Sequence, residues 1–310
     1  KNTVLPFVQE VGLFIPGVKE DTIKLPNLSA VVGIGDGAAC AGTDFDDGND
    51  TTMTQSSISL VKGVIKDSIC IHSEGFETYA VAQALQSGQN YTGLGALETG
   101  ILMEIQKKAA KRISQNLWNG NGSPDTWTFT GWHDRLLAAN FGTSNVGTTT
   151  PTAGGSAGTD AEGVYNIVQA LINAAVADVD FASDVEAGNV YIVMSPKEKE
   201  FLRQNYLKLY DQSLYANGLG NLQSNVFGSF MFPGTNIPVY IQSSLTGTGT
   251  IILSRKGNQV LAVDNASDFT ALDIWLADDH DTLRWKLRFK MGVGWRDLTG
   301  NSVKYWGAAS

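Results

Sequence analysis

Leu94, Leu97, Ile101, Ile105, Ala109, Ile113 and Leu117 fall three or four residues apart, the spacing that draws one apolar stripe along a helix. It predicts a helix over 92–118, which would be about 40 Å long at ~1.5 Å per residue. Glu98 and Glu104 lie in its first half, and Lys107, Lys108, Lys111 and Arg112 in its second, the order that suits the helix dipole. Asn119-Gly120 follows; both residue types accept left-handed backbone, so the helix is expected to end there. It reads as a structural spine.

The remainder is mostly strand-like. In "TLRWKLRFKMGVGW", Leu283, Trp285, Leu287, Phe289, Met291 and Val293 share one face, and Arg284, Lys286, Arg288 and Lys290 share the other, the period of a strand. Four like charges on one strand face repel unless acids answer them, and Asp278, Asp279 and Asp281 lie just upstream. An ion-paired sheet or a subunit contact is the expectation. "IPVYIQ", "TIILS" and "NQVLAVD" read as short strands, and "NVYIVMSP" as a strand entering a helix. Ser195-Pro196-Lys197-Glu198 is a capping box with Pro at the first helical position. A further amphipathic helix is predicted over 160–178 through Val164, Ile167, Leu171, Ala175 and Val176, and a short one over 73–87 with Ser73 as its cap.

Towards the start, "NLSAVVGIG" and "SISLVKGVIKDSICIH" read as two strands around a glycine-rich tip carrying Asp36, Asp44, Asp46, Asp47 and Asp50. Residues 1–24 hold Pro6 and Pro16 and no helical period. They read as an extended arm lying across another part of the fold or a neighbouring subunit. Helices and strands mix without internal repeat, so the fold class is α+β.

Charged residues make up 17% of the 310 residues, against about 25% in ordinary soluble domains. With 34 glycines, this points to large surfaces that meet protein. The net charge is −9 without a basic arm, which argues against sequence-specific nucleic-acid binding. No apolar run reaches the ~18 residues of a membrane span. Cys40 and Cys70 form no disulfide framework, which is consistent with a reducing compartment. The chain opens on Lys1 rather than Met, read as a start removed by processing or lying outside the sequence.

Candidate chemistry is thin. Gly33, Gly35 and Gly37 lack the third glycine of a dinucleotide fingerprint, since Ala38 stands there and an acidic loop follows. Asp44, Asp46, Gly48 and Asp50 sketch a calcium loop, but the glycine comes one position early and no closing Glu follows. Asp134 beside His133 implies no nucleophile. His72, His133 and His280 lie far apart without metal-ligand spacing. Hence no catalytic, cofactor-binding or metal residue is assigned, no cofactor is expected, and the chain is not read as an enzyme.

The order of these segments resembles the major capsid proteins of tailed bacteriophages, the Hong Kong 97 fold. "ISQNLWNGNGSPDTWTFTGWHDRLL" is similar to the family's segment where the spine helix ends, and "NVYIVMSPKEKEFLRQ" to its strand entering a capped helix. "FPGTNIPVYIQSSLTGTGTIILSRKGN" resembles its Gly-x-Pro-Val strand and turn, and "LRWKLRFKMGVGWRDLTGNSVKYW" its terminal strand pair. The resemblance implies an N-terminal arm over 1–24 and an E-loop hairpin over 25–72. It implies a P-domain over 73–119 with the spine at 92–118, an A-domain over 120–262, and P-domain strands over 263–310. It implies self-assembly through hexamers and pentamers into an icosahedral shell around double-stranded DNA, held without sequence readout. Neighbouring capsomers would meet through the arm and the E-loop. Portal, scaffold or decoration proteins would be partners, with no membrane, and the product would be a virion capsid assembled in the host bacterial cytoplasm. An encapsulin shell has the same fold and is the nearest alternative; a soluble α/β enzyme is a more distant one. Some family members weld subunits by a Lys–Asn isopeptide bond. Lys62, Lys66 and Asn301 do not align to that trio, and no such role is assigned.

Overall fold

Strands buried on both faces read as unbroken apolar runs, and Val190–Met194 is one, buried at every position. It lies inside a six-stranded sheet with helices on one side and a second sheet on the other. The computed structural model describes residues 4–30, 51–70, 94–120, 130–138, 145–152, 163–209, 230–264, 272–276, 282–298 and 301–307. The aspartate-rich tip, the helix expected over 73–87, His72, His280, Asp278, Asp279 and Asp281 lie outside these residues.

The elements in chain order are α1 (Val4–Val11), β1 (Leu13–Ile15), β2 (Thr22–Ala30), β3 (Thr51–Ser59), β4 (Val61–Cys70) and α2 (Leu94–Asn119). Next come α3 (Trp132–Ala138), β5 (Asn145–Gly147), α4 (Val164–Val176), α5 (Val179–Glu186), β6 (Val190–Met194) and α6 (Pro196–Leu209). They are followed by β7 (Phe230–Met231), β8 (Pro238–Ile241), a 3-10 turn (Ser243–Leu245), β9 (Ile251–Arg255) and β10 (Gln259–Val263). The last are β11 (Leu272–Leu276), β12 (Thr282–Trp295) and β13 (Val303–Trp306).

The six-stranded sheet runs β5-β13-β9-β6-β8-β7. Ile192, Met194, Val239, Ile251 and Leu253 pack under α4, α5 and α6. Its opposite face gives Tyr191, Val193, Tyr240, Ile252 and Tyr305 to the main core, shared with Leu287, Phe289, Met291, Val293 and Trp295 of β12. The second sheet runs β1-β10-β12-β11, with β4 on the other edge of β12. Between the sheets lie α1, α3 and the C-terminal part of α2.

The spine helix forms as its stripe predicts, and Ala109, Ile113 and Leu117 are buried at its inner end. The capping box also forms: Ser195 Oγ accepts from Lys197 N–H at 3.1 Å and donates to Glu198, while Ser195 N–H donates to Glu198 Oε2 at 3.2 Å. The inward face of β12 is the one its alternation marks.

Several expectations need correction. The stretch over 1–24 is not extended at its start: Val4–Val11 is a helix. Pro6 falls in its first turn, where a missing N–H breaks no intrahelical bond. Phe7, Val8 and Val11 then face one way and are buried. The strand expected in "SISLVKGVIKDSICIH" is broken at Leu60. β3 pairs with β2, whereas β4 pairs antiparallel with β12 from Val61↔Met291 to Cys70↔Thr282. Val176, expected on the buried stripe, is half exposed, and two residues later Asp178 caps a second, unexpected helix, accepting from Asp180 N–H and Phe181 N–H. Gly120 is not among the described glycines with positive φ. The spine instead ends with Gly120 N–H on Asn116 O at 2.9 Å, while Gly120 O accepts from Gly131 N–H at 2.6 Å.

Candidate assembly surfaces

The outer face of the β4–β12 sheet divides into two halves. Along β12 the even positions point outward, so Arg284, Lys286, Arg288 and Lys290 share a side with Gly292 and Gly294. Over the glycine half lies the base of the β2–β3 ribbon. A Cβ on Gly294 would stand 2.6 Å from Ile58 Cγ1, and one on Gly292 2.4 Å from Ser59 O. Ile58 and Leu25 pack with Val260, and Leu60 and Val18 with Ala262. The paired glycines are therefore a seat for the hairpin. The sign of this seat in the sequence is the pair of glycines at period two in "MGVGW", whose meaning depends on the distant Ile58 and Ser59.

The other half is basic. Register sets Lys62 opposite Lys290, Val64 opposite Arg288, Lys66 opposite Lys286 and Ser68 opposite Arg284. Lys62, Lys66, Arg284 and Arg288 are exposed, Val64 is 54% exposed and Trp275 41%. Lys286 Nζ sits 4.9 Å from the Trp275 ring centroid, a cation–π contact. Lys290 differs from the rest: it is buried, donates to Lys19 O at 2.9 Å and Glu20 O at 3.2 Å, and meets Asp21 at 3.0 Å. Its charge beside Asp21 holds that carboxyl below the usual range. The acid answering this cation thus comes from residues 19–21. The upstream aspartates expected to do so lie outside the described residues.

At the inner end of the spine, Phe7 lies 5.8 Å from Trp118, 5.8 Å from Tyr191 and 5.3 Å from Tyr240, and Trp118 is 5.2 Å from Trp132. These are tilted or edge-on pairs, the favoured aromatic geometry. Trp132 Nε1 donates to Val260 O and Gly294 O, and Trp295 Nε1 donates to Trp132 O at 2.9 Å. Tyr240 donates to Glu10 Oε1 at 2.6 Å, so α1 is tied to the six-stranded sheet. Burial, and then Glu10, push the Tyr240 hydroxyl's pKa upward.

One cluster resembles a hydrolase triad in outline. His133 Nε2 is 2.8 Å from Thr250 Oγ1, and His133 Nδ1 is 3.3 Å from Asp134. Thr250 is 1% exposed, and a Cβ on Gly307 would come within 2.8 Å of its hydroxyl. No substrate carbonyl can approach that oxygen. Burial lowers the His133 pKa against the pull of Asp134, and the contacts pack α3 against the turn before β9. A cleft of about 110 Å³ nearby is lined by Thr149, Pro151, Lys197, Glu198 and Thr248. Glu198 is committed to its capping box, and Lys197 lies 5.5 Å over the Phe201 ring. The nucleotide and calcium readings fall on residues outside the described ones.

No family model matches the chain, and no curated protein matches it. Solved structures do. The capsid of a native GTA particle aligns with a TM-score of 0.59 at 15% identity, over 100% of this chain and 91% of that one. Mycobacterium phage Cain aligns at 0.54 and 10% identity, over 97% and 89%. The capsid of Myoviridae phage XM1 aligns at 0.53 and 14% identity, over 97% and 90%. The chain has the α+β fold of these phage capsid chains, the Hong Kong 97 fold.

Proposed function

We propose that the chain is a structural major capsid protein of a tailed bacteriophage, which self-assembles into the shell of the virion. The observation that carries this reading is the full-length correspondence of fold with capsid chains, 100% of this chain against 91% of the GTA capsid chain. Hidden homology of one module would leave large unmatched segments; here the spine, both sheets and the hairpin fall within one alignment. The reading is non-enzymatic. The polar clusters described above serve caps and packing, and the exposed features are surfaces.

In this reading, hexamers and pentamers close an icosahedral shell around double-stranded DNA held without sequence readout, and assembly takes place in the bacterial cytoplasm. Portal and scaffold or decoration proteins join the shell. Residues 1–24 act as the arm and 25–72 as the E-loop, 73–119 and 263–310 as the P-domain, and 120–262 as the A-domain. Many modest contacts between copies then add up to a shell stronger than any one of them.

Electron microscopy and light scattering on the purified full chain test this. Closed icosahedral particles or hexamer rings are expected. Double-stranded DNA within the particles supports the virion, and packaged protein in place of DNA supports an encapsulin shell. A chain that stays monomeric at high salt and under crowding overturns the proposal.

A further inference from the structure

Trp132 and His133 are neighbours in the first turn of α3, and they reach opposite sheets. Trp132 Nε1 donates to Val260 O of β10 at 3.1 Å and to Gly294 O of β12 at 3.0 Å. His133 Nε2 lies 2.8 Å from Thr250 Oγ1, one residue before β9. Both His133 and Thr250 are buried. The start of α3 therefore couples the second sheet to the six-stranded sheet, and one half of that coupling is a titratable ring.

Hydrogen-bond chemistry assigns the tautomer. His133 Nδ1 is 3.3 Å from Asp134 Oδ1. A carboxylate only accepts, so the neutral ring carries its proton on Nδ1. Nε2 is then bare, and the Thr250 hydroxyl donates to it. A proton taken up at Nε2 reverses that bond. Nε2–H now donates to Thr250 Oγ1, and the hydroxyl hydrogen must find another acceptor. Thr248 O is available at 3.5 Å, at the edge of hydrogen-bond range. Gly307 closes the opposite side, where an added Cβ would stand 2.8 Å from Thr250 Oγ1, and leaves little room for a bridging water. A buried hydroxyl without a good acceptor is costly.

We propose that His133 is a proton-operated latch: neutral, it clasps the turn before β9 to α3, and protonated, it frees that turn while Trp132 keeps α3 on the second sheet. The inference stands apart from the capsid reading, because both ends of the contact belong to one copy.

Charges around the ring are few among the described residues. On α3, Arg135 Nε donates to Thr130 O. β9 carries Arg255, paired with Asp184, and β13 carries Lys304, drawn to Asp178. Lys107, Lys108, Lys111 and Arg112 of the spine are exposed. Beside Thr248, Lys197 lies over the Phe201 ring and Glu198 accepts from Ser195. Asp134 is the charge that acts on His133, and it favours the protonated form; burial outweighs it and holds the ring below its usual 6.5. Once the turn opens, the ring regains an ordinary pKa. As pH falls below 6.5, opening thus gains up to about tenfold per pH unit until the lower native value is reached. The latch is closed at neutral pH and lost in mild acid. Glu198 cannot mimic this, since its raised pKa makes acid stabilising.

The experiment uses the full chain below its assembly concentration. Deuterium exchange at the imidazole Cε1–H, read by mass spectrometry, gives the pKa of His133. A value below 6.5 is expected, and a lower one still in Asp134→Asn, which removes the favouring charge. Amide exchange, corrected for its intrinsic pH dependence, follows the clasp. Thr250 N–H donates to Thr248 Oγ1 at 3.2 Å, and Gly307 N–H to Gly147 O at 2.9 Å. Protection at both should fall at least fivefold from pH 7.5 to pH 5 in the wild type. It should stay level in His133→Gln, whose carboxamide accepts from Thr250 and takes up no proton. Val18 N–H, which donates to Val263 O on the second sheet at 3.1 Å, should keep its protection throughout.

His133 titrating at or above 6.5 overturns the proposal. Wild-type protection that holds down to pH 5 overturns it too, as does an equal acid response in His133→Gln. Should the glutamine variant not fold, the wild type decides alone. Protection that falls from 6.5 downward and levels at the pKa read for His133 sustains the latch, and any other profile removes it.

Discussion

A Cβ placed on Gly131 would lie 2.3 Å from the carbonyl oxygen of Trp118. The two residues bracket the place where the spine ends. Gly131 N–H donates to Gly120 O at 2.6 Å, and Gly131 O accepts from Arg135 N–H at 3.0 Å, so the same glycine closes α2 and opens α3. Trp118 and Trp132, on either side of this crossing, are fully buried. Neither backbone can move far without opening the core.

Gly131→Ala should therefore be costly although it adds only a methyl group. Overpacking against backbone costs about 1–3 kcal/mol, occasionally more, and here the obstacle is a carbonyl rather than a flexible side chain. The expected outcome is a lower urea midpoint for the unassembled subunit with an unchanged slope. A midpoint equal to that of the wild type would mean the crossing is looser than described.

Phe7 tests whether the first helix belongs to its own subunit. It is 1% exposed and touches Trp118, Tyr191 and Tyr240. Phe7→Ala should cost about 3–5 kcal/mol, as for a buried aromatic in a core. Were residues 4–11 an arm resting on a neighbour, the unassembled subunit would lose almost nothing while assembly suffered. Equilibrium unfolding of subunit kept below its assembly concentration distinguishes the two.

What could be read in advance was whatever repeats locally. The stripe of α2, the alternation of β12 and the Ser195–Glu198 box each declare themselves within a few residues, because period and capping are properties of one element. The α1 helix is eight residues long, too short for a period to stand out, and Pro6 hides it. The break at Leu60 is decided by two partners far along the chain, β2 on one side and β12 on the other. No local signal separates Ser59 from Val61. The glycines at 131, 292 and 294 have meaning only through Trp118, Ser59 and Ile58, atoms that a linear reading does not bring near. The basic face was legible as half a face; its β4 half needed the register.

The α6 cap predicts a pH effect. Burial raises the Glu198 pKa from 4.5, against the hydrogen bond from Ser195. An acid whose native pKa is raised binds its proton more tightly when folded, so its contribution to stability falls as pH rises from about 4.5 through the higher native value. Glu198→Gln keeps an acceptor for the Ser195 N–H and cannot ionise. It should be at least as stable as wild type at pH 7 and lack this site's slope between pH 4 and pH 7. Ser195→Ala, which removes the cap, should cost about 0.5–2 kcal/mol at every pH. Urea midpoints measured across that range check both, and a glutamine variant less stable than wild type at pH 7 would contradict the cost assigned to the buried charge.

Lys290 and Asp21 hold the connection before β2 against the sheet, but unequally. The lysine is buried and satisfies two carbonyls besides the acid, whereas the Asp21 side chain is 84% exposed. Asp21 titrates below the ordinary range because Lys290 donates to it. A depressed carboxylate contributes above its unfolded pKa of about 3.9 and loses that contribution as pH falls through the lower native value. An exposed partner in water is screened and adds little at neutral pH. Asp21→Asn should thus behave nearly as wild type at pH 7, and any remaining difference should vanish in stronger acid. Lys290→Met should loosen the segment at every pH, since the carbonyls of Lys19 and Glu20 lose their donor. Two amides report this locally: Leu60 N–H donates to Asp21 O at 2.8 Å, and Val18 N–H to Val263 O at 3.1 Å. Hydrogen exchange at both should quicken at least tenfold in the methionine variant and little in the asparagine variant. Equal protection in the two variants would show that the carboxylate, not the buried ammonium, is the clasp.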